Sequence, residues 1–311
     1  MTRSSHLSYA DDLIIFSETA EGLQHSLRLL KEYCNRWCLK VNMGKSKIIV
    51  FNKGGKTYKD HIFSYDGCVL EIVRSYPYLG IIISVSGSFN EAMESLKEKG
   101  MKSIHSLYDV VSKCNTGTSM KLFKTLVEPI TNYGCEVWAP YLMTKLNDKN
   151  LYSLCEKSAA EKCAMKYGHI CLQVHKKSAN AAIRGELGMF PILIQQMRLA
   201  VKFLIHLFDM PAQTLVHQSL MECLKMNDEG CTNWLSGITQ VVQQVNNSRP
   251  LNIGVITQVP KYENTVRDYL QKVYVSQWKA ILNKKSSNGI AEGKLRTYNI
   301  IKSNFVFEKN I

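Results

Sequence analysis

No run in this sequence approaches the roughly 18 consecutive apolar residues that cross a bilayer. The opening MTRSSHLSYADD holds no apolar core of the kind a secretory leader needs, so neither span nor leader is expected. No CxxC pair occurs among the ten cysteines, which lie at 34, 38, 68, 114, 135, 155, 163, 171, 223 and 231; the usual zinc-finger spacings are thereby excluded. Most of them sit in apolar periodic segments, Cys34 and Cys38 beside Trp37 and Cys135 beside Val137, where a free thiol behaves as a small hydrophobe. A reduced protein of the nucleus or cytoplasm is expected. Cys163, His169, Cys171 and His175 are zinc-capable, but their spacing fits no standard finger, and buried cysteines with surface histidines account for them. Internal repeats and low-complexity tracts are also missing, which speaks against a solenoid or a disordered chain.

Acid is in short supply. Asp and Glu number 26 against 39 Lys and Arg, a net charge of +13 with a pI near 9.2. Such an excess attracts nucleic acid or anionic membrane surfaces, and without a span the nucleic acid is the better match. At 311 residues and 45% hydrophobic, the chain can bury the core of two modest domains or one large one.

The present features divide by period. In HLSYADDLIIFSE, residues 6–18, Leu7, Tyr9, Leu13 and Ile15 alternate while Ile14 and Phe16 fill the opposite face, which predicts a hairpin buried on much of both sides around an acidic turn. From residue 20 the period lengthens. Leu23, Leu27, Leu30, Cys34, Trp37 and Cys38 recur at three and four, predicting an amphipathic helix over 20–38. SKIIVF (46–51) predicts a buried strand, Asp66-Gly67 a tight hairpin turn, and YPYLGIIIS (76–84) one more strand with Pro77 near its start.

Helices are expected after about residue 86. Ser88 and Glu91 form a capping-box pattern ahead of an apolar stripe at Met93, Leu96, Gly100, Ile104, Leu107 and Val111. Further helices are predicted over 117–133, bent or ended near Pro129, over 145–167, and on each side of a break at Gly188 and Pro191. A looser stretch at 243–260 precedes a last helix at 262–283. The expected class is α+β, with segments 1–85, 86–242 and 243–311.

Asp11 and Asp12 are the chemical feature. Two adjacent carboxylates repel unless a cation neutralises them, and hard oxygen ligands on a rigid hairpin suit Mg²⁺. By itself the dipeptide also fits an ordinary exposed acidic turn, since Asp favours turns. The order of motifs narrows this. Tyr-Ala-Asp-Asp, a helix, LKVNMGKSKIIVF and YLGIIIS follow one another over about 80 residues, and the series resembles the second half of the palm of non-LTR (LINE-type) retrotransposon reverse transcriptases. Leu39, Asn42, Lys45, Ser46 and Lys47 match the family's L-x-x-N-x-x-K-T/S-K segment, and Tyr78, Leu79 and Gly80 its Y-L-G at the primer-grip hairpin. LFKTLVEPITNYGCEVWAPY, GELGMFPI and KLRTYNIIKSNFVFEKNI resemble its thumb segments and tail.

The resemblance implies a partial palm over 1–85, a helical thumb-like domain over 86–242 and a C-terminal extension over 243–311. It implies RNA-directed DNA synthesis with two Mg²⁺ ions, an RNA template, a DNA primer and deoxynucleoside triphosphates. Asp11 would be the principal metal ligand of the hairpin and Asp12 its neighbour in the site. Tyr9 and Ala10 would lie under the primer terminus. Lys45 or Lys47 would neutralise the pyrophosphate leaving group, unless each is simply a surface lysine of a helix-to-strand loop. Tyr78, Leu79 and Gly80 would position the primer, or else serve strand packing with a glycine bulge. Exposed lysines, Lys97, Lys99, Lys102 and Lys113 on one helix and Lys157, Lys162 and Lys166 on another, could track phosphates without reading sequence. Trp37, Trp138, Trp234 and Trp278 are expected as core anchors.

Family members carry fingers and another palm strand, with a further metal-binding aspartate, ahead of the hairpin. Only eight residues precede Tyr9 here. The expectation is a fragment, inactive alone, whose first 85 residues expose an apolar sheet edge and are poorly stable. The alternative is a non-catalytic nucleic-acid-binding or interaction module, and a relative of group II intron maturases is the weaker third reading.

Overall fold

The computed structural model describes residues 5–52, 61–146, 150–246, 256, 259–283, 295, 298, 302 and 305. The chain is α+β, and it divides into two compact units, Met1–Ala92 and Met93–Ile311.

The first unit opens with strands β1, Ser5–Tyr9, and β2, Asp12–Phe16, paired antiparallel. Helix α1, Ala20–Arg36, follows, its first turn capped by Thr19, whose hydroxyl accepts from the Gly22 N–H at 3.0 Å. Strand β3, Lys47–Ile48, lies parallel to β5, Cys68–Ile72, which pairs antiparallel with β4, Phe63–Tyr65. Strands β6, Ser75–Tyr78, and β7, Ile81–Ser84, form a third small sheet. Leu27 of α1 packs with Ile48, Phe63, Tyr65 and Leu70 as the core of this unit. Gln24 fixes the helix on the sheet through its side-chain amide, which donates to the Ser64 carbonyl at 2.8 Å and accepts the Ser64 N–H at 2.9 Å.

Several expectations are corrected here. The β1–β2 hairpin is largely exposed: Leu7, Tyr9, Leu13 and Phe16 are all at least 40% accessible. Its register, Tyr9 opposite Asp12 and Leu7 opposite Ile14, also moves Leu13 and Ile15 to the face away from Leu7 and Tyr9, because directly paired residues share a face. Trp37 is 62% exposed and Cys38 is exposed, since α1 ends at Arg36 before the apolar period can carry them inward. The segment 46–51 is a strand only at Lys47–Ile48. The run 76–84 is a hairpin and not one strand, turning at Leu79 and Gly80 with φ of 45° and 83°, the signature of a two-residue turn that follows the sheet twist. Asp66 and Gly67 make the same turn, as their dipeptide predicts.

The second unit is helical. Helix α2, Asn90–Val111, starts just before the division and buries Met93, Leu96, Ile104 and Val111. It begins at Asn90, whose N–H donates to Ser88 Oγ at 3.3 Å, so Ser88 lies one residue too early to close a box with Glu91. Helix α3, Thr116–Leu122, runs into a π-helical segment, Phe123–Val127, and helix α4, Glu128–Thr131. The widened turn suits Pro129, which has no N–H to continue the ladder; the Glu128 N–H instead reaches back to the Phe123 carbonyl. The span 145–167 is not one helix. Helix α5, Cys135–Met143, is followed by α6, Leu151–Glu156, and α7, Ala159–Cys171, with Ser158 capping α7.

Helix α8, Asn180–Leu187, stops at left-handed Gly188, and α9, Ile192–Phe208, restarts after Pro191, as expected. Helices α10, Leu215–Asp228, and α11, Trp234–Val245, precede α12, Tyr262–Leu282. Leu193, Met197, Val201, Ile238, Val242, Val266 and Trp278 belong to one core contributed by α9, α11 and α12. Trp138 and Trp278 are buried, while Trp234 is half-buried and donates to the Glu136 carbonyl at 2.9 Å. Arg184, fully buried, bonds Glu156 at 2.9 Å and Glu161 at 2.6 Å. Much of the looser 243–260 stretch and of the tail lies outside the described residues. Phe305 of the tail packs 5.0 Å from the Trp278 ring.

All ten cysteines are free thiols, and burial pushes Cys163 up to about 11. His175 is exposed, and no group of three metal-capable side chains occurs among the described residues. Among the described residues no single helix is long and apolar enough to cross a membrane.

Candidate metal hairpin and nucleic-acid surface

The β1–β2 hairpin turns on two residues, Ala10 and Asp11, between the paired Tyr9 and Asp12. Ala10 takes a φ of 53°, a left-handed conformation that costs an alanine about 1 kcal/mol more than a glycine. Asp11 and Asp12 are exposed, and among the described residues neither has an ion-pair partner. Tyr9, opposite Asp12, is 65% exposed. The tip therefore offers two free carboxylates beside an accessible aromatic ring on a hydrogen-bonded scaffold.

The Lys45 segment is built as a turn. Asn42 organises it: its carbonyl accepts from the Ser46 N–H at 3.0 Å, and its side-chain oxygen from the Lys45 N–H at 3.2 Å. The Tyr76 hydroxyl donates to the Lys45 carbonyl, which brings this turn and the β6–β7 hairpin together. Lys45 is exposed, whereas Lys47 pairs with Glu71 at 2.8 Å. Of the two lysines, Lys45 is the one whose charge stays available. Tyr78 is half-buried, and Leu79 and Gly80 form the exposed hairpin turn, so the bulge alternative is corrected. Glu71 and Tyr76 are the residues that the sequence did not single out; their partners lie 24 and 31 positions away, beyond any local pattern.

On the second unit Lys99, Lys102 and Lys113 of the α2 region and Lys157, Lys162 and Lys166 of the α7 region are exposed. Lys97 is corrected: it is only partly exposed and paired with Glu94.

Residues 1–83 match the family described as reverse transcriptase (RNA-dependent DNA polymerase), the stretch that contains the hairpin, the Asn42 turn and Tyr78–Gly80. The "RNA-directed DNA polymerase from mobile element jockey" of Drosophila funebris is 24% identical over 149 residues, 45% of this chain and 16% of that protein. The first part of the chain is thus similar to RNA-directed DNA polymerases of mobile elements. The "Probable RNA-directed DNA polymerase from transposon BS" of Drosophila melanogaster is 26% identical over 140 residues, 42% of this chain. The chain spans about one sixth of these relatives, 16% in each case. No solved structure matches it.

The donor set can be tested against the divalent metal that such polymerases use. Mg²⁺ is commonly held by one or two carboxylates, with substrate phosphates and water completing its shell. Asp11 and Asp12, exposed and unpaired, fit that demand; a third protein ligand beside them is not found among the described residues.

Proposed function

We infer that this chain supplies the metal-binding palm hairpin and the thumb of an RNA-directed DNA polymerase of a non-LTR retrotransposon. The observation that carries the reading is the pair Asp11–Asp12, free of ion-pair partners at a hairpin tip within the segment that matches reverse transcriptases. Residues 1–85 would be the second part of the palm, 86–242 the thumb and 243–311 a C-terminal extension. The partners are an RNA template, a DNA primer and deoxynucleoside triphosphates, met inside the cell.

Asp11 and Asp12 would hold Mg²⁺, which when bound supplies charge stabilisation and activation of the primer hydroxyl in phosphoryl transfer. The chain's own residues then have separate tasks. Tyr9 gives the primer terminus an exposed ring to rest on, and Ala10, with no side chain beyond Cβ, lets backbone come close. Lys45, exposed and held by Asn42, places a cation for the departing pyrophosphate, a role that the Glu71 ion pair denies to Lys47. Tyr78, Leu79 and Gly80 position the primer strand from a rigid turn.

Primer extension on an RNA template with Mg²⁺, in a polypeptide of the relatives' length, tests the reading. Asp11→Asn should lower incorporation by at least about 1,000-fold while nucleic-acid binding persists, given the several kcal/mol a catalytic metal supplies. Incorporation retained in that variant would contradict it. A second reading, a nucleic-acid-binding module without chemistry, is favoured by the exposed lysines near α2 and α7; it predicts salt-dependent duplex binding that is indifferent to Asp11.

A further inference from the structure

The second unit contains a cleft of about 410 Å³ that the polymerase reading leaves without a task. It is lined by α3 with the π-helical segment and the start of α4, by the turn at 187–191 with the start of α9, and by one face of α12. Its floor is apolar, with Leu187, Met189 and Phe190. Its rim is cationic, with Lys121 and Lys124 exposed and Arg267 half-buried; Glu128 is the carboxylate that also lines it. Arg267 shares its charge with Asp268 at 2.8 Å, so the two lysines are the freer cations. Burial pushes the Glu128 carboxyl up, against the pull of Lys124. The volume falls in the range of small-ligand clefts, about 300–1,000 Å³, and π-helical turns recur at functional sites.

Cations around an apolar and aromatic floor suit a ligand with an anionic end and a flat ring. We propose that this cleft takes one unpaired nucleotide of a single-stranded nucleic acid, its phosphate at Lys121 and Lys124 and its base on the floor at Met189 and Phe190. The pairing of phosphate-binding cations with a stacking ring is how unpaired strands are held without sequence preference. The cleft's chemistry stands by itself; the choice of a strand over another anionic aromatic molecule rests on the polymerase reading.

Fluorescence anisotropy of the full chain with a labelled twelve-nucleotide single strand, without Mg²⁺, is the test. K121Q/K124Q, both at exposed positions, should weaken binding about ten-fold at 100 mM salt and make the slope of log affinity against log salt shallower by about 1.4, or 0.7 for each phosphate no longer neutralised. Phe190→Leu should weaken binding of the normal strand and leave binding of an abasic strand unchanged; it rests on Phe305 at 4.9 Å, so its fold is verified by circular dichroism. Unchanged affinity and slope in K121Q/K124Q would overturn the proposal, as would an abasic strand bound as tightly as the normal one. Competition by a free nucleoside monophosphate at strand concentrations would overturn the assignment to a strand. Because no metal or polymerisation enters the assay, its failure is separate from a failure of the hairpin reading.

Discussion

Arg184 shows how one residue can anchor the second unit. Its guanidinium is fully buried, donates to Glu156 and Glu161, and lies 5.9 Å from the Tyr274 ring centre. Burial opposes the charge on both main partners. For Arg184 the neighbouring carboxylates outweigh burial and its pKa rises; for Glu161 burial outweighs the guanidinium and the carboxyl is raised. Arg184→Ala should therefore cost about 3–5 kcal/mol, since it strands two acids. Glu161→Gln should cost less, about 1–3 kcal/mol, because its one amide oxygen can still accept from Arg184 while the Leu193 N–H, which bonds the other carboxylate oxygen, loses its acceptor. Urea denaturation of both variants checks the order, and equal losses would contradict it. The sign with pH follows from the raised carboxyl. Its stabilising contribution is full below the unfolded value of about 4.3 and is lost as pH rises through the folded value, so Glu161→Gln should flatten that slope. Neither partner stood out in the sequence, because a pair separated by 23 positions leaves no local mark.

Among elements, the contact of α5 with α11 is the most demanding. A Cβ on Gly237 would sit 1.8 Å from the Pro140 carbonyl oxygen, a backbone atom that cannot swing aside. Gly117 in α3 is the contrast, its nearest neighbour, Asn115 Oδ1, being at an ordinary 3.5 Å. Replacing a helical glycine by alanine gains up to about 1 kcal/mol in propensity, and overpacking costs about 1–3 kcal/mol. Gly237→Ala should thus lower stability by a net 1–2 kcal/mol or more, and Gly117→Ala should raise it slightly. Thermal melts of the two proteins should shift in opposite directions. A rise in both would remove the packing account of Gly237. Element boundaries were legible where chemistry marks them, as at Gly188, Pro191 and Asp66-Gly67. They are obscured where an apolar run hides a turn, as at Leu79-Gly80, or where a cap lies inside an apolar stripe. Ser158 with Glu161 spells a helix start, and the structure uses Ser158 so.

On the scale of the whole molecule, the two units differ in how much they cover. The second buries the rings of Tyr167, Tyr274 and Trp278, whereas the first leaves Leu7, Tyr9, Phe16, Tyr33 and Trp37 in solvent. The α+β class and the position of the acidic hairpin could be read from periodicity, since the change from two to about three and a half residues per repeat is local. Exposure could not, because alternation gives the faces of a strand and not what covers them. The hairpin's own register escaped for a related reason: the two-residue turn decides which residues of β2 join Tyr9 on its face. That face ends at Asp12, and the proposed chemistry depends on Asp11 and Asp12 taking a divalent cation. Titrating the isotope-labelled chain with Mn²⁺ and following backbone amide signals tests this most directly. Residues 9–12 should broaden at the lowest Mn²⁺ concentration, ahead of the exposed Asp228–Glu229 pair, and Asp11→Asn/Asp12→Asn should abolish that priority. Amides of residues 9–12 that broaden no earlier than those at 228–229 would contradict the account.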